Sequence, residues 1–590
     1  MKRIYHVLLL TFIAAITFKC QKELSGDRSI IPISPINQSS PITATLQGNV
    51  LDENGQPASG VRISAGSKIT TTDAHGYFRI SDAALDKNAS LATAELPGYF
   101  KGYRSFRAST GVNQVVFKLI KKTSAGIVNA TTGGEVKLAN GAKVSLPANG
   151  IVKAAGGAYT GNVQVFTAYI DPTSREIGKM VPGSFMADDK DNNRVILSSY
   201  GMLAVELEST SGEKLQIATG STAALTIPIP SSLVKKAPAS ISLWYVDEQT
   251  GIWKEQGTAK KSGDNYVGEV KHFSYWNCDL GLPAIAFSAT FKTADGFPLK
   301  NVYVTVGESD TSSRGLAHGY TDSLGQAGGL IPSNLNLVLA LRDECYNIVY
   351  TKNIGPYSQS TNLGTIVIPN TVSSLVTIKG KLLSCSNTPV SNGYAIVYWN
   401  NLVNYVKADA EGKFFTSILN CSGASPVVEI LGVDGAATQQ GSLLTISLTQ
   451  HTTDAGNIIA CGTSSAQFIN YKLNGVDHEL SNLSDSALYL SSIPAAGTIY
   501  NIAMGGYQST ENSIYLAFTC EARAGVYPVN TLFVTDHSRI GLIRPFNVTV
   551  TSFPLHPGGF YEGNFSGNFV DSTDVLITQK INGSFRLMKY

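Results

Sequence analysis

Thr43-Ala44-Thr45-Leu46-Gln47-Gly48-Asn49-Val50-Leu51-Asp52-Glu53-Asn54-Gly55-Gln56-Pro57 decides how this chain is read. Thr45, Gln47 and Asn49 alternate with Leu46, Gly48 and Val50, the period of a strand with one face buried. Asn54-Gly55 then supplies a turn, because both residues tolerate positive φ. Val61-Arg62-Ile63-Ser64 alternates again, and Ile69–Thr72 is a further β-prone run. Asp73-Ala74-His75-Gly76 turns the chain, Tyr77-Phe78-Arg79-Ile80 returns, and Gln114–Leu119 closes the unit. Short strands separated by tight turns predict an antiparallel sandwich over 43–121.

The plan recurs. Ser288–Phe291, Ala294–Pro298, Val302–Val306 and Tyr320–Gly325 form a second copy. Val376–Gly380, Pro389-Val390, Gly393–Tyr398 and Asp409–Phe414 form a third. Strand, turn, Pro and strand are followed each time by Asp-x-x-Gly, at Asp73, Asp322 and Asp409, and then by another strand. In such a turn the Asp accepts backbone N–H groups, and Gly takes a conformation closed to other residues. Calcium would need several more oxygen ligands close by, which these turns lack.

Beyond the copies, 122–280 holds at least eight strand candidates, enough for one large or two small β domains. Residues 464–590 alternate similarly. The predicted fold class is therefore all-β, a tandem array of immunoglobulin-like or transthyretin-like sandwiches. Its segments are 1–19 leader, 20–42 lipidated Cys and stalk, 43–121 first sandwich, 122–280 middle region, 281–370 second sandwich, 371–463 third sandwich and 464–590 C-terminal β domain.

The chain starts with Lys2 and Arg3 ahead of an apolar run from Val7 to Phe18. That is the form of an export signal and is too short to span a bilayer. Cys20 follows, and the segment resembles a lipoprotein signal of the looser Bacteroidetes kind, with Gln21-Lys22-Glu23 like a surface-export tag. The resemblance implies that Cys20 carries lipid, with acyl chains holding the chain to the outer membrane, exposed at the cell surface. Pro32, Pro35 and Pro41 make the following stretch a stalk.

Of seven cysteines, six remain once Cys20 is set aside: Cys278, Cys345, Cys385, Cys421, Cys461 and Cys520. An even number in an exported chain points to disulfides. Sequential pairing gives Cys278–Cys345, Cys385–Cys421 and Cys461–Cys520, with other pairings open.

Residues 45–119 also resemble the carboxypeptidase regulatory-like domain, a transthyretin-like sandwich. The likeness rests on Gly48–Asp52, Gly55-Gln56-Pro57, Gly60-Val61 and Thr72–Phe78. In the second copy Ala327 stands where the closing strand's aromatic is expected. In the third, Ser386-Asn387-Thr388-Pro389 replaces the Gly-containing turn. Trp244–Glu248, Gly251-Ile252-Trp253 and His272–Cys278 look like regions beside such domains, and more loosely like cartilage intermediate layer proteins and ZU5-type modules. What the resemblance implies is a non-enzymatic extracellular module without zinc ligands.

The residues agree with that implication. There is no His-Glu-x-x-His, no Gly-x-Ser-x-Gly and no Gly-Lys-Ser/Thr loop. Asp188-Asp189-Lys190-Asp191 reads as a solvated turn or a weak cation site. A net charge of +2 without a basic stripe gives no nucleic-acid footprint. No catalytic residue, metal or cofactor is implied. Trp244, Trp253 and Trp276, with Tyr394 and Trp399, are either core or a strip for stacking sugar rings. The expected function is a non-catalytic structural or adhesion lipoprotein. The alternative is a carbohydrate-binding accessory of the outer membrane, and the ligand would be a polysaccharide or a protein.

Overall fold

The alternating stretch becomes the strand Pro41–Leu51, which takes in two residues assigned above to the stalk. It is the centre of a three-stranded sheet, antiparallel to Tyr77–Asp86 and parallel to Asn113–Lys118. Lys68–Thr71, Arg62–Ala65, Ser90–Glu95 and Gly102–Phe106 form the facing sheet. Leu46, Val50, Val61, Ile63, Phe78 and Phe117 fill the space between them.

This is a computed structural model. It describes residues 39–589 except 74, 309–316, 370, 373, 392, 400–401, 422–425, 450, 482–486, 510–511, 535–539, 556–557 and 572–573. The leader, Cys20 and the tag after it lie outside the described residues.

The three copies share one topology. In the second, residues 284–293 run antiparallel to Gln326–Pro332 and parallel to Thr361–Ile368. In the third, Leu375–Leu383 runs antiparallel to Lys413–Leu419 and parallel to His451–Ile459. The proline after the first turn bridges back each time, as Leu51↔Pro57, Lys292↔Pro298 and Leu383↔Pro389. Asp73, Asp322 and Asp409 each accept two backbone N–H groups through Oδ1. The donors are His75 and Tyr77 at 2.9 Å, Leu324 and Gln326 at 2.8 Å, and Glu411 and Lys413 at 3.0 and 2.8 Å. The turn glycines Gly76, Gly325 and Gly412 have φ of +65°, +75° and +75°. A Cβ on them would lie 2.2, 2.4 and 2.6 Å from the carbonyls of Val50, Phe291 and Leu382, so both φ and space require glycine.

A cross-strand pair explains Ala327. Gly48 faces Phe78 and Gly380 faces Phe414, each ring lying over the glycine. In the second copy the facing pair is Ala289 and Ala327. The aromatic and the glycine change together, so the register is kept.

The middle region holds one continuous core from Val128 to Cys278. Its last strand, Tyr275–Thr293, does not stop at residue 280. Residues 275–283 pair with Arg194–Ser209 and Ser240–Val246, and residues 284–293 belong to the second sandwich. The C-terminal part is a nine-stranded antiparallel sheet between Phe468 and Met588 around its own core.

The sequential disulfide order is overturned. Cys345 is bonded to Cys421 and Cys385 to Cys461, each pair 76 residues apart. The parallel pairing of the first and last strands of the third sandwich brings Leu383 opposite Ile459, hence Cys385 beside Cys461. Cys421 follows Leu419, which is buried in the core of the second sandwich and so lies near Cys345. Cys278 and Cys520 are free thiols facing two cores, where burial pushes both thiols up in pKa, Cys520 to about 11.

Candidate functional site

Asp343, Cys345 and Cys421 form a group of metal-ligand type among the described residues, but both sulfurs are spent in their disulfide. Asp279 is 0% exposed, and burial drives its carboxyl well above the usual range. Its neighbours are Asn277 and Ser199, and no solvent reaches it, so it cannot pass a proton to a substrate. The acidic run is likewise committed. Asp189 caps its own turn through Asp191 and Asn193, while Asp188 is buried between Arg194 at 2.5 Å and Lys254 at 2.6 Å.

The tryptophans are core. Trp244, Trp253, Trp276 and Trp399 are 2, 0, 0 and 2% exposed. The indole N–H groups of the first three donate to the carbonyls of Asp279, Ser184 and His272 at 3.0, 2.7 and 3.1 Å. None offers a ring face to a sugar, which corrects the stacking alternative for these residues. Tyr394 is half-buried within its strand.

What the elements do bring together is the modules themselves. Arg104 of the first sandwich is buried and donates to Val116 O at 2.8 Å, to Tyr103 O at 3.0 Å and to Val181 O of the middle region. Ser105 Oγ reaches Gly251 O at 3.0 Å, and Tyr275 Oη donates to Lys101 O at 2.9 Å. At the start of the middle region, Lys122 is held within that module between Glu206 and Glu208 at 2.6 and 2.5 Å.

Two of the three repeated turns serve as joints. Asp322 caps its own turn with Oδ1 and receives the hydroxyl of Ser109 on Oδ2. Ser323 Oγ accepts from Val112 N at 2.9 Å. From the first copy's turn, His75 packs on Tyr398 and Tyr77 stacks on Tyr405, centroids 5.8 and 5.0 Å apart. Burial pushes the Asp73 carboxyl up to about 6, against the pull of His75. Between the second and third sandwiches, Asn301 Nδ2 donates to Asn404 Oδ1 at 2.6 Å, Lys300 covers the Phe415 ring at 4.0 Å, and Cys345–Cys421 closes the seam.

One partly exposed face carries aromatics not singled out above, although Tyr489 on it is itself buried, 8% exposed, and Tyr515 is half-buried. On the C-terminal sheet Tyr489, Gly505, Tyr515 and Phe533 lie in register across neighbouring strands. Tyr489 and Tyr515 are 6.0 Å apart, Tyr515 and Phe533 5.7 Å, and Phe533 is 47% exposed. Two rows away, Asn530 donates to Thr519 at 3.1 Å and Thr519 to Asn501 at 3.0 Å. The strand period in Asn512–Glu521, with Ile514, Leu516, Phe518 and Cys520 inward, was the available signal.

No family model matches the chain. It is 26% identical over 153 residues to cartilage intermediate layer protein 2 of Mus musculus, across 25% of this chain and 13% of that protein. With the same protein of Homo sapiens the identity is 27% over 123 residues, 20% of this chain and 10% of that one. The chain thus spans a small fraction of these relatives' length. Among solved structures, the shaft pilin SpaA of Lactobacillus rhamnosus GG is 9% identical, across 31% of this chain and 98% of that one, with a TM-score of 0.17. BcpA, the major pilin subunit of Bacillus cereus, is 10% identical, across 72% and 99%, with a TM-score of 0.12. Scores this low carry no functional argument. No helix among the described residues is long and apolar enough to cross a membrane.

Proposed function

We propose that this chain is a non-catalytic structural or adhesion protein of a bacterial cell surface, held to the outer membrane by lipid on Cys20. The observation that supports it is the seam system. Repeated turns, a shared strand and a disulfide join sandwiches to one another, and Arg104 and Asp188 are used within and between modules. Disulfides of this kind persist in oxidising compartments outside the cytosol. The carboxypeptidase regulatory-like kinship of 43–121 belongs to the same reading. Protease added to intact cells is expected to remove the protein, and Cys20→Ala to release it from the membrane fraction. A chain that resists protease until cells are lysed would overturn the surface assignment.

The face around Phe533 favours a second reading, a carbohydrate-binding accessory. Aromatic rings beside an amide and hydroxyl row suit the apolar face and hydroxyl edge of a sugar. On a glycan array, Phe533→Ala is expected to lose at least tenfold in any glycan signal. An unchanged signal removes this reading and leaves the first intact.

A further inference from the structure

A cavity of about 650 Å³ opens where the first sandwich, the middle region and the second sandwich meet. Its size falls within the range of small-molecule sites, about 300–1,000 Å³. Phe106 and Val116 line it from the first sandwich, Phe185 and Ile196 from the middle region, Phe287 and Leu330 from the second sandwich. The polar groups in this wall are unbalanced. Lys87, Arg104 and Arg107 line it with one carboxylate, Asp322, which is already committed to Ser109 and its own turn, while the Asp86 charge acts on Arg107 from outside the wall. Arg104 donates to backbone carbonyls, and among the described residues neither arginine has an ion-pair partner. Arg107 Nη1 and Gln114 Oε1 are both buried without a hydrogen-bond partner.

A guanidinium stays charged at every physiological pH, and a buried N–H on it without an acceptor is costly. Arg107 also lines the cavity without an ion-pair partner among the described residues, and the carboxylate of an incoming ligand would supply one. We propose that this junction binds an amphipathic carboxylate, with its apolar tail among the phenylalanine and aliphatic side chains and its carboxylate on Arg107. Three modules supply the wall, so the site exists only in the joined chain.

The test is calorimetric titration of the purified mature protein with decanoate, decanol and acetate. Decanoate is expected to bind one per chain, with decanol and acetate at least tenfold weaker. Arg107→Met is expected to bring decanoate down to the level of decanol, and Arg107→Lys to restore part of the difference. Decanol equal to decanoate would reduce the cavity to an apolar gap, and acetate equal to decanoate would leave an anion site without a tail. Either result, or no binding by any of the three, overturns the proposal. The comparison on the unmodified protein decides even where Arg107→Met fails to fold.

Discussion

Asp73, Asp322 and Asp409 hold the same place in three turns and meet three surroundings. Asp409 is exposed and only caps, Asp322 also receives Ser109, and Asp73 is buried against another module. Removing the side chain should therefore cost different amounts. Asp409→Ala is expected to lose about 1 kcal/mol of stability in urea denaturation, and Asp322→Ala about 2–3, since a seam is lost with the cap. A double cycle with Ser109→Ala isolates the seam. Asp73 gives a pH signature. Its folded pKa lies above the ordinary value, so the fold favours the neutral acid. That contribution is complete below about pH 4 and lost as pH rises through about 6. Asp73→Asn keeps an acceptor but cannot ionise. It should melt above the parent at pH 7.5, by the equivalent of about 1–3 kcal/mol, with the gap closing towards pH 4. The capping role of all three was legible in Asp-x-x-Gly. Their unequal burial was not, because it is set by residues hundreds of positions away.

At the scale of elements, alternation carried most of the information. It located the strands beginning at Thr43 and Tyr77 and their two later copies, but not the glycine lying beneath the aromatic across the ladder. It could not place the cysteines, whose partners depend on a parallel pairing that joins the first and last strands of a module. Nor could it tell a buried tryptophan from an exposed one, since Trp244 and Trp276 sit where neighbouring residues on both faces of their strands are buried. Thiol titration checks the corrected scheme. A native chain carrying Cys20→Ser should show no reactive thiol, and the same chain unfolded but unreduced should show Cys278 and Cys520 alone. Reduction should lower stability, with each bridge closing a loop worth about 2–4 kcal/mol in unfolded-state entropy. The loops interleave, so the two losses should not add.

For the whole molecule, the decisive element is Tyr275–Thr293, which serves two sheets. Two glycines inserted between Pro283 and Ala284 should uncouple them, since Pro283 pairs with Val195 and Ala284 with Pro332. Calorimetry should then resolve an early transition ahead of the main one, whereas an unchanged single transition would show that the other seams suffice. Composition and turn spacing pointed to separate beads on a chain. They gave no hint of this strand, because a residue-by-residue period does not reveal which sheet each half of a strand will join. The shared strand also bears on heredity. A gene crossover within codons 275–293 would hand each descendant half a rung and an open ladder edge, inviting aggregation. These two modules are therefore expected to be gained, lost and duplicated together in any lineage that carries them.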